Sequence, residues 1–591
     1  MSENQSSRPD KGRTASRRGR HNGGGRRGRG KGGGEKGNGN ERLIFLPLGG
    51  AGEIGMNCYV YGYGAPGRER LIVVDLGVTF PNMDSTPGVN LIFADIAWLV
   101  ENRERIEAIF ITHAHEDHVG AVSLLWDRLR VPVHARPFTA HIARRKMEER
   151  GLDPKEVLTA EPWPAVVRAG PFDVSFVPIS HSIPESSGLA IDTPAGRVVH
   201  TGDFKLDETP VEGEPFDPQL WAEIAKPGVQ ALVCDSTNVF TERPNRSEAT
   251  VGPEIRRLVA GAEGMMVATT FASNIARLKT LADAGIAAGR SVCMLGRSMQ
   301  RMIEAARETG VVTDFPPVIS PEEAVQIPCE NLMLIVTGSQ GERRAASAQL
   351  ARGKYMGLQL KEGDMFLFSS KTIPGNERGV IAIMNAFSRM GVDVVSEDMS
   401  LFHVSGHANR PDLERMHEIV QPRMVIPMHG EHRHLRAHMK LARARGIASE
   451  IVENGMMADL TGEVPKIAEH VEAGRTYLDG AVMIGAMDGI VRDRIRMALN
   501  GHVLATVLVE DGVLLGDAWV ELSGLAETGV SGAPLAETIE DDLNRFLARA
   551  EPGMLADDDR LEEAMIRIVR RSCSDASGKK PEVTVVISRL E

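Results

Sequence analysis

The chain reads as an α/β protein of several domains. Its 591 residues exceed the ~100–200 residues of one domain several times over. From Glu41 onward, short apolar runs bounded by Gly, Pro or Asp alternate with helical segments, the pattern of buried strands leading into loops. The composition is 42% hydrophobic and 25% charged, ordinary for a globular protein with a large core.

Residues 1–41 stand apart. They hold 11 Lys and Arg against 4 Asp and Glu, a net of +7, whereas the whole chain carries a net charge of −12. Residues 1–40 contain 12 glycines and the cluster Arg26-Arg27-Gly28-Arg29-Gly30-Lys31. With no apolar periodicity, such a segment cannot offset its ordering entropy, and disorder is expected. It reads either as a loose electrostatic hold on RNA phosphates or as a solubilising tail. A basic tail on an acidic body excludes a uniformly basic nucleic-acid coat and leaves room for an enzyme with a local basic track.

Strands are expected at Arg42–Leu48, Leu71–Leu76 and Ile106–Thr112, and helices at Ala121–Leu129 and Thr139–Arg150. After Asn238 the helices Val251–Ala260, Ser273–Ala288 and Ser298–Thr309 alternate with the strands Gly264–Thr270, Ser291–Leu295, Asn331–Thr337 and Asp364–Phe368. That βα repeat predicts a parallel sheet. A linker is expected at 467–500. The last region, 501–591, reads as α+β, with strands His502–Val509, Gly512–Leu522 and Glu582–Ser588 and helices Thr538–Ala550 and Arg560–Arg571.

The five cysteines are Cys58, Cys234, Cys293, Cys329 and Cys573; none forms a CxxC pair. This fits a reducing cytoplasm rather than a disulfide framework. No run of 18 apolar residues and no signal-peptide core is found, so no membrane span is expected.

The chemistry concentrates in Thr112-His113-Ala114-His115-Glu116-Asp117-His118. Three imidazoles and a carboxylate directly after a strand suit zinc or a similar divalent ion. Alternate residues at a strand end point one way, so His113 and His115 can share one metal, while the next turn sends Asp117 and His118 toward a second. Further ligands are sought where apolar strands end: His181 after Val174–Ile179, Asp203 after Arg197–His200, and His429 after Met424–Ile426. Asp75, closing "LIVVD", is expected to orient a ligand rather than to bind metal itself. His432, His434 and His438 read as a solvated helix face. His134, His141, His417, His470 and His502 have no companions.

These residues resemble the metallo-β-lactamase superfamily. The resemblance implies an αββα sandwich, with His113, His115 and His181 on one zinc, Asp117, His118 and His429 on the other, and Asp203 bridging. More than 200 residues separate Asp203 from His429, and that interval resembles the inserted β-CASP domain of nucleic-acid-cutting members. Asp235 in "CDSTN", His407 in "HVSGHAN", "TGSQGE" and "RSEATVG" are similar to the bacterial ribonuclease J group. The implied organisation is a first sandwich part at 42–238, the insertion at 239–400, a second sandwich part at 401–466, and an oligomerising C-terminal domain at 501–591.

The resemblance implies a ribonuclease acting 5′→3′ and internally on 5′-monophosphorylated RNA, in RNA maturation and decay. Two Zn²⁺, with Mn²⁺ as the alternative, would hold the attacking hydroxide. His407 is the candidate general acid and Asp235 its orienting partner. His403-Val404-Ser405-Gly406-His407 is expected to hold substrate phosphate, Gly406 allowing close approach of an anion. Ser273, Asn274 and Arg277 open a helix in the insertion and offer a second phosphate site, against the alternative of ordinary capping by Ser273. Asp479, with backbone oxygens near Gly88, is a candidate structural Ca²⁺ ligand. A homodimer or homotetramer and RNA-decay partner proteins are also implied. The competing readings are a DNA-directed β-CASP nuclease, a small-ester or thioester hydrolase, and a non-cleaving RNA-binding scaffold.

Overall fold

The computed structural model describes residues 41–396 and 401–590. The expected basic tail lies outside the described residues except for Glu41.

Two sheets build the first domain. One runs, edge to edge, Lys466–His470, Met456–Asp459, Arg42–Gly49, Cys58–Gly64, Arg70–Val74, Ile106–Ile111, Val133–Ala135 and Val157–Thr159. The other runs Val167–Ala169, Phe172–Pro178, Ser187–Thr193, Gly196–His200, Val229–Asp235, Met424–Met428 and Ala448–Ser449. Side chains alternate between the two faces, and the inner strands are apolar throughout because both faces are covered. Along Arg42–Gly49, Leu43 and Phe45 enter the core between the sheets with Phe176, Ile191 and Ile426. Ile44, Leu46 and Leu48 face the other way, into the layer containing Leu125, Ala140 and Met147 from the helices Val122–Leu129 and Pro137–Glu149. The second sheet is covered likewise. Cys234 and Val425 pack with Trp221, Met416 and Ala442, from the helices Pro218–Ala225, Arg410–Val420 and His432–Ala444. The layers are therefore αββα.

The inserted domain holds one fully parallel sheet in the order Ser291–Leu295, Leu332–Val336, Met266–Thr269, Met365–Phe368, Asp393–Val395. Its strands are buried on both faces. Met266, Ala268 and Ile335 pack beneath the helices Gly252–Gly261, Ile275–Ala287 and Arg297–Glu308, and Val267, Leu334 and Phe366 pack on the opposite side.

The stretch 467–500, expected as a linker, is folded. Lys466–His470 edges the first sheet, Arg475–Asp479 pairs with Leu91–Ala94 and with Val482–Gly485, and Ile490–Asn500 is a helix. In the C-terminal domain, His502–Glu510 lies parallel to Glu582–Leu590 and antiparallel to Trp519–Ser523. The single strand expected at Gly512–Leu522 is split into Val513–Leu514 and Trp519–Ser523. The helices Leu535–Leu547 and Asp558–Ser577 cover one face of that sheet. No helix among the described residues is long and apolar enough to cross a membrane.

Candidate metal centre

Six strands end at one rim of the sandwich. Arg70–Val74, Ile106–Ile111, Phe172–Pro178, Gly196–His200, Val229–Asp235 and Met424–Met428 are followed or closed there by Asp75, the 113–118 loop, His181, Asp203, Asp235 and His429. The carboxyl ends of parallel strands are where α/β sheets present their loops to ligands. Asp75 and His429 both hold left-handed backbone, φ 64° and 49°, a conformation costly for residues with a Cβ and concentrated at functional turns.

Two donor groups meet at this rim. His113, His115 and His181 form the first: His115 Nδ1 lies 3.0 Å from His113 Nε2 and 3.1 Å from His181 Nε2. Asp117, His118, Asp203 and His429 form the second. Asp203 Oδ2 stands between the groups, 3.2 Å from His118 Nε2, 3.3 Å from His429 Nε2, and 3.9 Å from Nε2 of both His113 and His181. Donors ~2.0–2.2 Å from a tetrahedral zinc are spaced close to these distances. Asp203 Oδ1 is buried with no hydrogen-bond partner among the described residues, an expensive state for a carboxylate oxygen unless a cation takes it. The donor set thus fits a pair of divalent ions.

The outer atoms of the imidazoles are held as well. Asp75 Oδ2 lies 2.7 Å from His118 Nδ1, and the same carboxylate accepts from the Thr112 N–H and hydroxyl. Gly406 O lies 2.6 Å from His181 Nδ1 and Ser273 Oγ 3.1 Å from His115 Nε2. Asn57 Oδ1 lies 2.8 Å from His429 Nδ1 and accepts from the Tyr59 hydroxyl, while Asn57 Nδ2 donates to Asp117 O. Asn57 carries no sequence signal. It precedes a strand in "GMNCYV", and only the fold brings it to a histidine 372 positions away.

The electrostatics divide the imidazoles. Burial pushes His115 down to about 4 and His113 and His181 well below the ordinary value, so all three are neutral, the ligating form. Burial also opposes charge on His118, but Asp203, Asp117 and Asp75 outweigh it and hold that group well above the ordinary range. The Asp203 carboxyl is held well below its usual range, against burial, by His429 and His118.

Beside Asp203, His407 Nδ1 lies 2.8 Å from Asp235 Oδ2. Burial opposes its charge, yet Asp235, with Asp203 and Asp117, raises it to about 9. Ser405 Oγ accepts from Asn238 Nδ2 and from the His407 N–H, which leaves its own proton to donate. Gly406 packs closely, because a Cβ there would lie 2.6 Å from Ser182 Oγ and 2.9 Å from His181 Cε1. Val404 contributes its side chain to the inserted domain's core. His403 is half-buried, its Nδ1 lacks a partner among the described residues, and desolvation with the charges of Arg277, Lys371, Lys205 and Arg246 drives its value well down.

Other expected residues have different roles. Asn274, not Ser273, caps the helix Ile275–Ala287. Arg277 is fully buried. Its guanidinium forks onto Glu248 at 2.7 and 3.0 Å and donates to the Ser369 and Phe402 carbonyls, so it is spent internally and is not offered to a phosphate. The calcium expectation also meets a cation already present: Arg494 Nη2 donates to Asp479 Oδ2 at 2.6 Å, and Arg494 Nη1 lies 2.9 Å from where a Cβ on Gly88 would be. His434 and His438, expected on a solvated face, are buried.

Comparison with known proteins places this geometry. Four family profiles match: the metallo-beta-lactamase superfamily over residues 51–234, the ribonuclease J beta-CASP domain over 263–387, the Zn-dependent metallo-hydrolase RNA specificity domain over 391–452, and the ribonuclease J C-terminal domain over 489–590. The chain is 40% identical over 553 residues to the ribonuclease J of Sinorhizobium meliloti, covering 93% of this chain and 98% of that one. The chain belongs to the ribonuclease J family. The ribonuclease J of Mycolicibacterium smegmatis is 36% identical over 92% of this chain and 96% of its own length, and that of Helicobacter pylori 31% identical over 91% and 78%. As a ribonuclease J family member, the chain is a metal-dependent hydrolytic nuclease with RNA as its substrate.

Proposed function

We propose that this ribonuclease J family member cleaves 5′-monophosphorylated RNA, both 5′→3′ from its end and internally, in cytoplasmic RNA maturation and decay. The observation that carries the reading is the meeting of both donor groups at Asp203, with the Asp235–His407 pair alongside. His113, His115 and His181 would hold one ion, and Asp117, His118 and His429 the other, with Asp203 shared; Zn²⁺ suits the nitrogen-rich set and Mn²⁺ is the alternative. When bound, such a pair supplies an activated water at neutral pH and neutralises phosphoryl oxygens.

The chain's own residues do the rest. His407, protonated at neutral pH, donates a proton to the departing 3′-oxygen, and the product keeps a 5′-phosphate. Asp235 orients the imidazole and keeps it charged. The Ser405 hydroxyl and the His403 ring, set among four cationic side chains, hold substrate phosphate. The exposed apolar face of the C-terminal sheet, with Trp519 53% and Leu508 42% accessible, supports a homodimer or homotetramer and a docking place for RNA-decay proteins.

The test uses matched RNA and DNA oligonucleotides bearing 5′-monophosphate, 5′-triphosphate or 5′-hydroxyl ends. Preference for monophosphorylated RNA, abolished by chelator and restored by Zn²⁺ or Mn²⁺, is the expected result. Equal cleavage of DNA would favour a DNA-directed nuclease, and tight binding without cleavage a scaffold.

A further inference from the structure

On the far side of the sheet from Asp203, a second cluster of metal-ligating side chains lies outside the centre described above. Cys234, His417 and His438 bring one donor atom each within 4.8 Å of one another, and all three are buried. Cys234 precedes Asp235 on the strand Val229–Asp235, so the pleat sends its thiol to the opposite face. His417 comes from the helix Arg410–Val420 and His438 from the helix His432–Ala444. The two Nε2 atoms face each other at 3.1 Å with the rings stacked, centroids 5.2 Å apart.

The surroundings prepare these groups as ligands. Ser236 Oγ lies 2.9 Å from His438 Nδ1 and its hydroxyl donates to Cys234 O at 3.3 Å. The serine oxygen therefore accepts from Nδ1–H, and the His438 Nε2 lone pair points at His417 Nε2. Burial keeps both imidazoles neutral, His438 down to about 4 and His417 far below its ordinary value. Neutral nitrogen and a thiol that binding would deprotonate are the donors that select a thiophilic ion of the zinc class.

We propose that Cys234, His417 and His438 form a separate structural metal site for such an ion. Three protein donors leave one tetrahedral position for a small ligand. A thiolate and two neutral imidazoles leave a divalent ion with one net positive charge, and the Asp235 carboxylate, whose field reaches both Cys234 and His438, stands next in the chain to offset it. The location gives the ion a purpose. One ligand-bearing helix starts three residues after His407, the other three residues after His429, and the strand ends in Asp235. The ion ties together the three elements that carry those groups.

Full-length protein from cells grown with cobalt in place of zinc gives the test. A thiolate bound to Co²⁺ shows a charge-transfer absorption in the near ultraviolet, whereas the centre around Asp203 has only nitrogen and oxygen donors and contributes none. The band is expected in the wild type and in His113→Ala, and absent in both Cys234→Ala and His417→Gln. Zinc-grown Cys234→Ala and His417→Gln should each hold one metal equivalent fewer than wild type. A wild type with no band and the same metal content as Cys234→Ala would overturn the proposal and leave a plain imidazole–imidazole hydrogen bond. Either result leaves the reading of the Asp203 centre untouched.

Discussion

His407 Nδ1 lies 2.8 Å from Asp235 Oδ2, and the two residues come from strand and loop positions 172 apart in sequence. The carboxylate favours the charged form of this half-buried imidazole. Replacing Asp235 by Asn keeps the shape and removes that charge. Cleavage should fall by about 10²–10⁴-fold, the usual contribution of a positioned acid. Wild-type activity requires protonated His407, whose charge Asp235 favours, and should decline on the alkaline side as that proton is lost. In Asp235→Asn the same limb should move down toward the ordinary imidazole value, about 6.5. A pH–rate profile of both proteins measures it, and an unmoved limb would assign the acid elsewhere.

Metal affinity should itself depend on pH. His118 carries a proton in the metal-free protein because Asp203, Asp117 and Asp75 outweigh its burial. A cation must displace that proton, so affinity weakens as pH falls, and binding at neutral pH releases protons. Calorimetry in buffers of different ionisation enthalpy counts them; a count of zero would contradict the assignment of His118 as a ligand.

Asn57 is a positioning residue through His429. Asn57→Leu removes the acceptor for His429 Nδ1 and the donor to Asp117 O. Loss of such an orienting partner costs roughly 10–100-fold in metal affinity. Chelator competition should show the loss, and excess metal should restore most of the activity. A merely structural role would lower thermal stability without this metal rescue.

Arg277 should behave as a core residue. Arg277→Ala leaves Glu248 buried and unpaired, which costs about 3–5 kcal/mol, read as a lowered denaturant midpoint. Direct phosphate binding by Arg277 would instead appear as a raised KM at unchanged stability.

The legibility of this chain varied with how local each signal was. The 113–118 loop is legible as a candidate site because four possible metal donors sit within six residues. His181, Asp203 and His429, which the fold brings into the two donor groups, stand out as candidates because each follows an apolar strand. Arg277 was misread because nothing near it announces Glu248, 29 positions earlier and across a helix packing. His434 and His438 were misread as solvated, although their spacing of four places them on one face of a helix, which here turns inward onto the sheet. The strands within 467–500 were missed because Lys466–His470 is an exposed edge strand and lacks the apolar run that marked the inner ones. Asp479 reads as a candidate calcium ligand because the sequence cannot show that Arg494 folds back onto it.

Anomalous scattering from crystals grown with Zn²⁺ or Mn²⁺, collected at the metal edge, addresses the Asp203 centre most directly. Two peaks are expected, one among His113 Nε2, His115 Nδ1 and His181 Nε2, the other among Asp117, His118 and His429 Nε2, with Asp203 Oδ2 reaching both. A rim without anomalous density, or with His181 and His429 turned away from any ion found there, would contradict the account.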